Sequence, residues 1–221
     1  MKYNQTKEVI QKSMSKTTEI IEKCLLSTRK DNVKHCMLNP SDYLEKIKLY
    51  NERFDGMWTD EEIIEQIKKN DIVASIFSKD PAKQNLTEDI VANIIKSNKH
   101  VKDFQVLSKG GKNSIRLNNK GEFVYGKCSM KDTKSVDYVF TYKTDKFYAT
   151  QKFTRGKGGS QDNQCRDVID FLKHGSLRNK EQFMAVLDGD YYTEEKMKEL
   201  KEIFKDKKNI HINSADIFLE G

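Results

Sequence analysis

The residues whose types and spacing suggest chemistry lie between positions 136 and 171. A run V-D-Y-V-F-T-Y, a polar break K-T-D-K and a second run F-Y-A-T-Q-K-F-T read as an antiparallel hairpin, since aromatic and β-branched residues flank a short turn. Asp137 opens the first run and Lys152 stands near the far end of the second. Alternation puts Tyr148, Thr150, Lys152 and Thr154 on one face, with Phe147, Ala149, Gln151 and Phe153 on the other. A lysine in such a strand, with an aspartate at the start of its partner, is costly for a core and makes sense where the two meet at a polar site. The loop that follows, R-G-K-G-G-S-Q, runs into a helix. Its glycines allow close backbone approach, and a helix N-terminus beside Arg155 and Lys157 favours a phosphate. Each feature has a plainer reading as well. Asp137 can end a turn from Lys131-Asp132, Lys152 can snorkel from a solvated face, and the loop can be a flexible connection.

The elements that position these residues are legible in outline. Apolar residues at helical spacing predict helices over 4–26, after Pro40-Ser41, and from Thr59, where T-D-E-E reads as a capping box with Trp58 as its staple. Residues 1–85 are therefore expected to form a helical N-terminal subdomain, suited to dimerisation or to embracing DNA. Thr87 is expected to cap a further helix. After it come a strand at 104–107, a hairpin of 115–117 and 122–125, the 136–154 hairpin, a helix over 161–172, a strand at 183–187, a helix over 193–204 and a strand at 209–212. Short antiparallel strands followed by helical crossovers make a mixed sheet flanked by helices, an α/β (α+β) fold over 86–221.

An aspartate opening one strand and T-x-K on the next, Asp137 with Thr150 and Lys152, resembles the PD-(D/E)xK motif common in type II restriction endonucleases. The glycine-rich turn and polar helix start resemble that group too. The family core, helix–three strands–helix–strand, matches the expected order from Thr87 onward. Val136 stands where the motif has proline, and Thr150 where it has its second acid; some members carry an amide or hydroxyl there. The resemblance implies a sequence-specific double-stranded DNA endonuclease, part of a restriction-modification system, working as a homodimer alongside a cognate DNA methyltransferase. Its catalytic residues would be Asp137, Thr150 and Lys152.

Phosphodiester hydrolysis needs an activated water and stabilised charge on two oxygens, which a hard cation such as Mg²⁺ supplies through one or two carboxylates, water and phosphate. Asp137 is the expected ligand, Lys152 would lie beside the phosphate, and Thr150 offers a neutral oxygen. Glu88, Glu122 and Asp132 are candidates for the missing acid. Gln161, Asn163 and Gln164 would reach base edges or orient the scissile strand, with Arg155, Lys157 and Arg116 as cations for the DNA. The other class of function is a non-catalytic DNA-binding protein on a degenerate nuclease core, which Thr150 favours.

A rival site is D-G-D at 188–190, after an apolar run, where two acids at a strand end can hold Mg²⁺; the plainer reading is a turn that caps the next helix. The four histidines are scattered, and the four cysteines, Cys24, Cys36, Cys128 and Cys165, lack zinc spacing and read as free thiols. A formal charge of +6 favours a polyanionic partner, and a lysine-rich surface encoded by an AT-rich genome fits equally well. No run approaches a membrane span, and the opening residues M-K-Y-N-Q-T-K-E lack an apolar stretch, so a cytoplasmic protein is expected.

Overall fold

The structure, a computed structural model, describes residues 15–81, 85–108, 110–127, 132–156 and 158–219. The chain forms two compact units, one of residues 20–87 and one of residues 1–19 with 88–221. The start of the first helix thus groups with the sheet, whereas the sequence suggests a division at 85/86.

The helical unit contains most of α1 (Lys16–Leu38), a 3-10 turn (Pro40–Tyr43), α2 (Leu44–Arg53), α3 (Asp60–Lys69) and α4 (Asp71–Phe77). Helix α1 runs 12 residues past the expected end at Leu26 because no glycine or proline interrupts the chain before Pro40; the expected start, with Val9, Ile10 and Met14, lies outside the described residues. The capping box at α3 is present. Thr59 Oγ1 accepts the Glu62 N–H at 3.1 Å, and the Thr59 N–H donates to Glu62 Oε2 at 2.7 Å. Helix α4 escapes the periodicity reading, being only 7 residues long; it starts because Asn70 Oδ1 accepts from the N–H groups of Ile72 and Val73. Tyr43, Ile47, Ile63, Ile67 and Phe77 fill the core of this unit.

The other unit is a mixed α/β assembly. Helix α5 (Leu86–Ser97) leads into β1 (Val101–Val106), β2 (Ile115–Leu117), β3 (Phe123–Tyr125), β4 (Lys134–Ser135), β5 (Tyr138–Tyr142) and β6 (Asp145–Phe153). Then follow α6 (Gly159–Gly175), β7 (Gln182–Asp188), α7 (Glu194–Ile203), β8 (Ile210–Asn213) and a 3-10 turn (Ala215–Phe218). Thr87 lies inside α5 rather than capping it, since the helix already begins at Leu86. Five strands make one sheet in the order β1-β5-β6-β7-β8, and β3-β2-β4 make a small second sheet. β1, β5 and β6 pair antiparallel, while β7 and β8 join in parallel after the α6 and α7 crossovers.

Alternation divides the large sheet into two apolar faces. Val139, Tyr148, Phe183, Ala185 and Leu187 pack with Val168, Phe171 and Leu172 of α6. The opposite face carries Phe140 and Phe147, paired across the strands with ring centroids 5.6 Å apart, and Phe218 edge-on to Phe140. A sheet buried on both sides explains why 183–187 is a continuous apolar run. Among the described residues, no helix is long and apolar enough to cross a membrane.

Candidate active site at the start of β5 and the end of β6

Asp137 is held by backbone on both sides. Its N–H donates to the Ala149 carbonyl at 2.8 Å, and its carbonyl accepts the Leu107 N–H at 2.9 Å. The register Tyr138↔Ala149 therefore extends one step, setting Asp137 beside Thr150. The Thr150 hydroxyl donates to Asp137 Oδ2 at 2.9 Å, and the Gln151 N–H donates to the same oxygen at 2.8 Å. Asp137 is 9% exposed and Thr150 4%, so this is a nearly dry contact. Oδ1 has no hydrogen-bond partner among the described residues. Lys152 lies two residues beyond Thr150 on the same face, opposite Leu187 of β7, half-buried and without an ion pair among the described residues. The three motif residues are thus brought to one face of the sheet.

Thr150 changes the electrostatics of that face. An acid at this nearly buried position would put two carboxylates in contact, an arrangement that demands a cation or a shared proton. A hydroxyl instead donates and satisfies Asp137 without either. On the other face, Tyr138 donates its hydroxyl to the Glu88 carbonyl at 3.0 Å, tying the first turn of α5 to the residue next to Asp137. Burial first, then the charges of Asp137, Glu88 and Asp89, push the Tyr138 phenol upward, so it stays a donor. Glu88 is consequently met on the Tyr138 side of the sheet. Among the described residues, no three His, Cys, Asp or Glu side chains cluster to hold a metal ion.

Several other candidates are occupied elsewhere. Glu122 accepts from Asn118 Nδ2 at 2.8 Å within the β2–β3 turn, whose Gly121 carbonyl is held by Arg178 just past the C-terminal end of α6. That is the end of α6 opposite the one that follows Lys152. Asp132 is exposed and occupies a turn with a left-handed φ of 65°. Arg116 donates through Nε to Thr133 Oγ1 at 2.7 Å and through Nη2 to the Thr133 carbonyl, which braces the small sheet.

The loop into α6 is likewise bound up in its own structure. Gln161 Nε2 donates to the Arg155 carbonyl at 3.2 Å, Gln164 Oε1 accepts from Thr154 Oγ1 at 2.9 Å, and Asn163 Oδ1 accepts from Arg166. The Gly156 N–H, a group suited to a phosphate, donates instead to Asp190 Oδ1 at 2.6 Å. Arg155 lies with its guanidinium carbon 5.7 Å from the centre of the Phe153 ring. Lys157 and Cys128 lie outside the described residues.

The two acids of D-G-D part company. Asp188, 2% exposed, accepts from Ser15 Oγ at 2.9 Å, Ser214 Oγ at 2.6 Å and the Ala215 N–H at 3.2 Å. Burial pushes its carboxyl up, and the bonds from Ser214, Ala215 and Ser15 pull it back. Gly189 has a left-handed φ of 105°, and a Cβ there would lie 2.2 Å from the Thr154 carbonyl oxygen, so only glycine fits the turn. The expected cap role falls instead to Thr193, whose Oγ1 accepts the Lys196 N–H at 3.2 Å. Asp188 is the functional-looking residue whose role the sequence hides. Its one signal is an acid closing an apolar strand.

No family model matches this chain, and no curated protein matches it. Among solved structures, protein VC1899 from Vibrio cholerae is similar over 93% of this chain and 55% of its own length, with 10% identity and a TM-score of 0.35. The chain spans little more than half of that protein, and a likeness this weak bears on neither fold nor activity.

Proposed function

We propose that this chain is a sequence-specific, Mg²⁺-dependent double-stranded DNA endonuclease of the type II restriction class, on a PD-(D/E)xK-type core. One observation carries the reading: Asp137, Thr150 and Lys152, which has no ion pair among the described residues, share one face where β5 begins and β6 ends. The succession α5, β1, β5, β6, α6, β7 supports it, being a helix, three antiparallel strands, a crossover helix and a parallel strand. Charge supports it as well. Residues 20–87 hold 11 Lys and Arg against 12 Asp and Glu, net −1, which leaves 29 against 22, net +7, on the sheet unit. A polyanion would engage that unit.

The residues fit a Mg²⁺ ion that keeps most of its water, since Asp137 offers one open oxygen and, among the described residues, no cage of acids surrounds it. Bound there, the ion would activate water and neutralise charge on phosphate oxygens. Asp137 Oδ1 would hold it. Thr150 and the Gln151 N–H fix the other oxygen, so the carboxylate cannot swing away. Lys152 supplies a fixed positive charge for the pentacoordinate phosphate. A homodimer would supply one site for each strand of a palindrome, with the methyltransferase of the same system protecting host DNA.

One observation favours a second reading, a DNA-binding protein without turnover. Two donors already hold Asp137 Oδ2, so a cation is not the carboxylate's only compensation. Incubation of unmethylated phage DNA with the wild type, Asp137→Ala and Lys152→Ala in Mg²⁺ separates the two. Discrete fragments from the wild type alone support the nuclease. Salt-sensitive retention of DNA by all three forms, with no fragments, supports the binder.

A further inference from the structure

The helical unit holds a cleft of about 490 Å³, within the size range of small-molecule sites (roughly 300–1,000 Å³). Its walls are aromatic. Tyr50 and Trp58 lie with ring planes 28° apart and centroids 6.3 Å apart, while Phe77 stands at 65° to Tyr50 with centroids 5.2 Å apart. Ile76 is 57% exposed and Trp58 39%, so both are open to a ligand, while Phe77, 3% exposed, backs the wall. Among the described lining residues the only charged ones are Glu62 and Glu65.

The two acids remain able to act on a ligand. Glu62 accepts the Thr59 N–H through Oε2. Glu65 pairs with Lys69 at 2.5 Å, with both side chains largely exposed, a pair that water screens and a ligand cation can replace. An anion would meet the negative edge of this cleft with no lysine or arginine lining it among the described residues. A cation would gain both the ring faces and the carboxylates.

We propose that this cleft is a binding site for a small organic cation with an apolar body, of the quaternary-ammonium or aromatic-amine class. Tyr50, Trp58 and Ile76 take its apolar surface, backed by Phe77, and Glu62 and Glu65 take its charge. The proposal is independent of the nuclease reading, because every group it uses lies within residues 20–87.

Trp58 is the only tryptophan of the chain, so its emission reports on this cleft. The full chain is titrated with phenyltrimethylammonium and, separately, with phenylacetate, an anion of similar size. The expected result is a saturable change with the cation and none with the anion. Glu62→Gln/Glu65→Gln, which keeps a residue able to complete the capping box, should weaken the cation roughly five- to tenfold while leaving the far-UV circular dichroism of the free protein unchanged. No saturable change with the cation overturns the proposal. So does equal affinity for cation and anion, or unaltered affinity in the double variant.

Discussion

The two units differ in what they bury. Among the described residues all ten buried polar or charged side chains, Asp137, Thr150, Gln151 and Asp188 included, belong to the sheet unit, and none lies within 20–87. Burying a polar group costs free energy unless a partner compensates, so a core that contains them must specify each contact. The sheet unit does so for its two buried acids, with Thr150 on Asp137 and with two serines and a backbone N–H on Asp188, while Thr17 Oγ1 and Gln151 Nε2 are buried without a hydrogen-bond partner among the described residues. The helical unit keeps its acids outside, over an aliphatic and aromatic core. Charge follows the same division, net +7 against net −1. The excess of positive charge and a cleft lined by acids thus belong to different units.

Four measurements would break or sharpen that contrast. The largest effect is expected from Lys152→Met, which keeps the length of the stem and removes the charge. Cleavage should fall by on the order of 10³-fold, with little change in the urea midpoint. Undiminished cleavage would remove the sheet face from the chemistry. Next is Asp188→Ala, which strands two hydroxyls and a buried N–H and should cost about 2–4 kcal/mol in urea unfolding. A loss below about 1 kcal/mol would mean that the polar core is not what holds the ends of this unit.

On the helical unit, Thr59→Ala removes one half of the capping box and should cost about 1 kcal/mol, read by Trp58 emission during thermal unfolding. An effect as large as that of Asp188→Ala would erase the difference between the units. The smallest expected effect is a slope with pH. The folded-state carboxyl of Asp188 is raised above its ordinary value of 3.8, so its contribution is fully present below that pH. The contribution is lost as pH rises through the folded-state value. Asp188→Asn lacks this titration, and its stability relative to wild type should therefore improve as pH rises from about 4. Urea unfolding at several pH values checks the sign, and a constant gap would mean that the carboxyl titrates normally.

Much of the fold is readable without coordinates because its signals are local. The hairpin of β5 and β6, the faces along β6 and the capping box all follow from periodicity and neighbouring residues. The crossover helix α6 runs two residues before and three after its expected span, which is ordinary end uncertainty. The short helix α4 is missed because about two turns carry too little periodicity. The candidate site divides likewise. That Asp137, Thr150 and Lys152 share a face follows from alternation, but that Thr150 donates to Asp137 does not, because the register of two strands depends on the turn between them.

By itself the sequence determined most of the strands and helices, the face on which the residues of β6 lie and the excess of positive charge. These depend on dihedral preference, period and composition, all properties of short stretches. Only the tertiary structure decided which polar groups are spent. It gave Glu122 to its own turn, Gly156 to Asp190, and Asp188 to Ser15 at a separation of 173 residues. It also gathered Tyr50, Trp58 and Phe77 into one wall. Contacts of that kind are selected by packing of the whole chain, where most buried donors and acceptors take a partner that folding brings within reach.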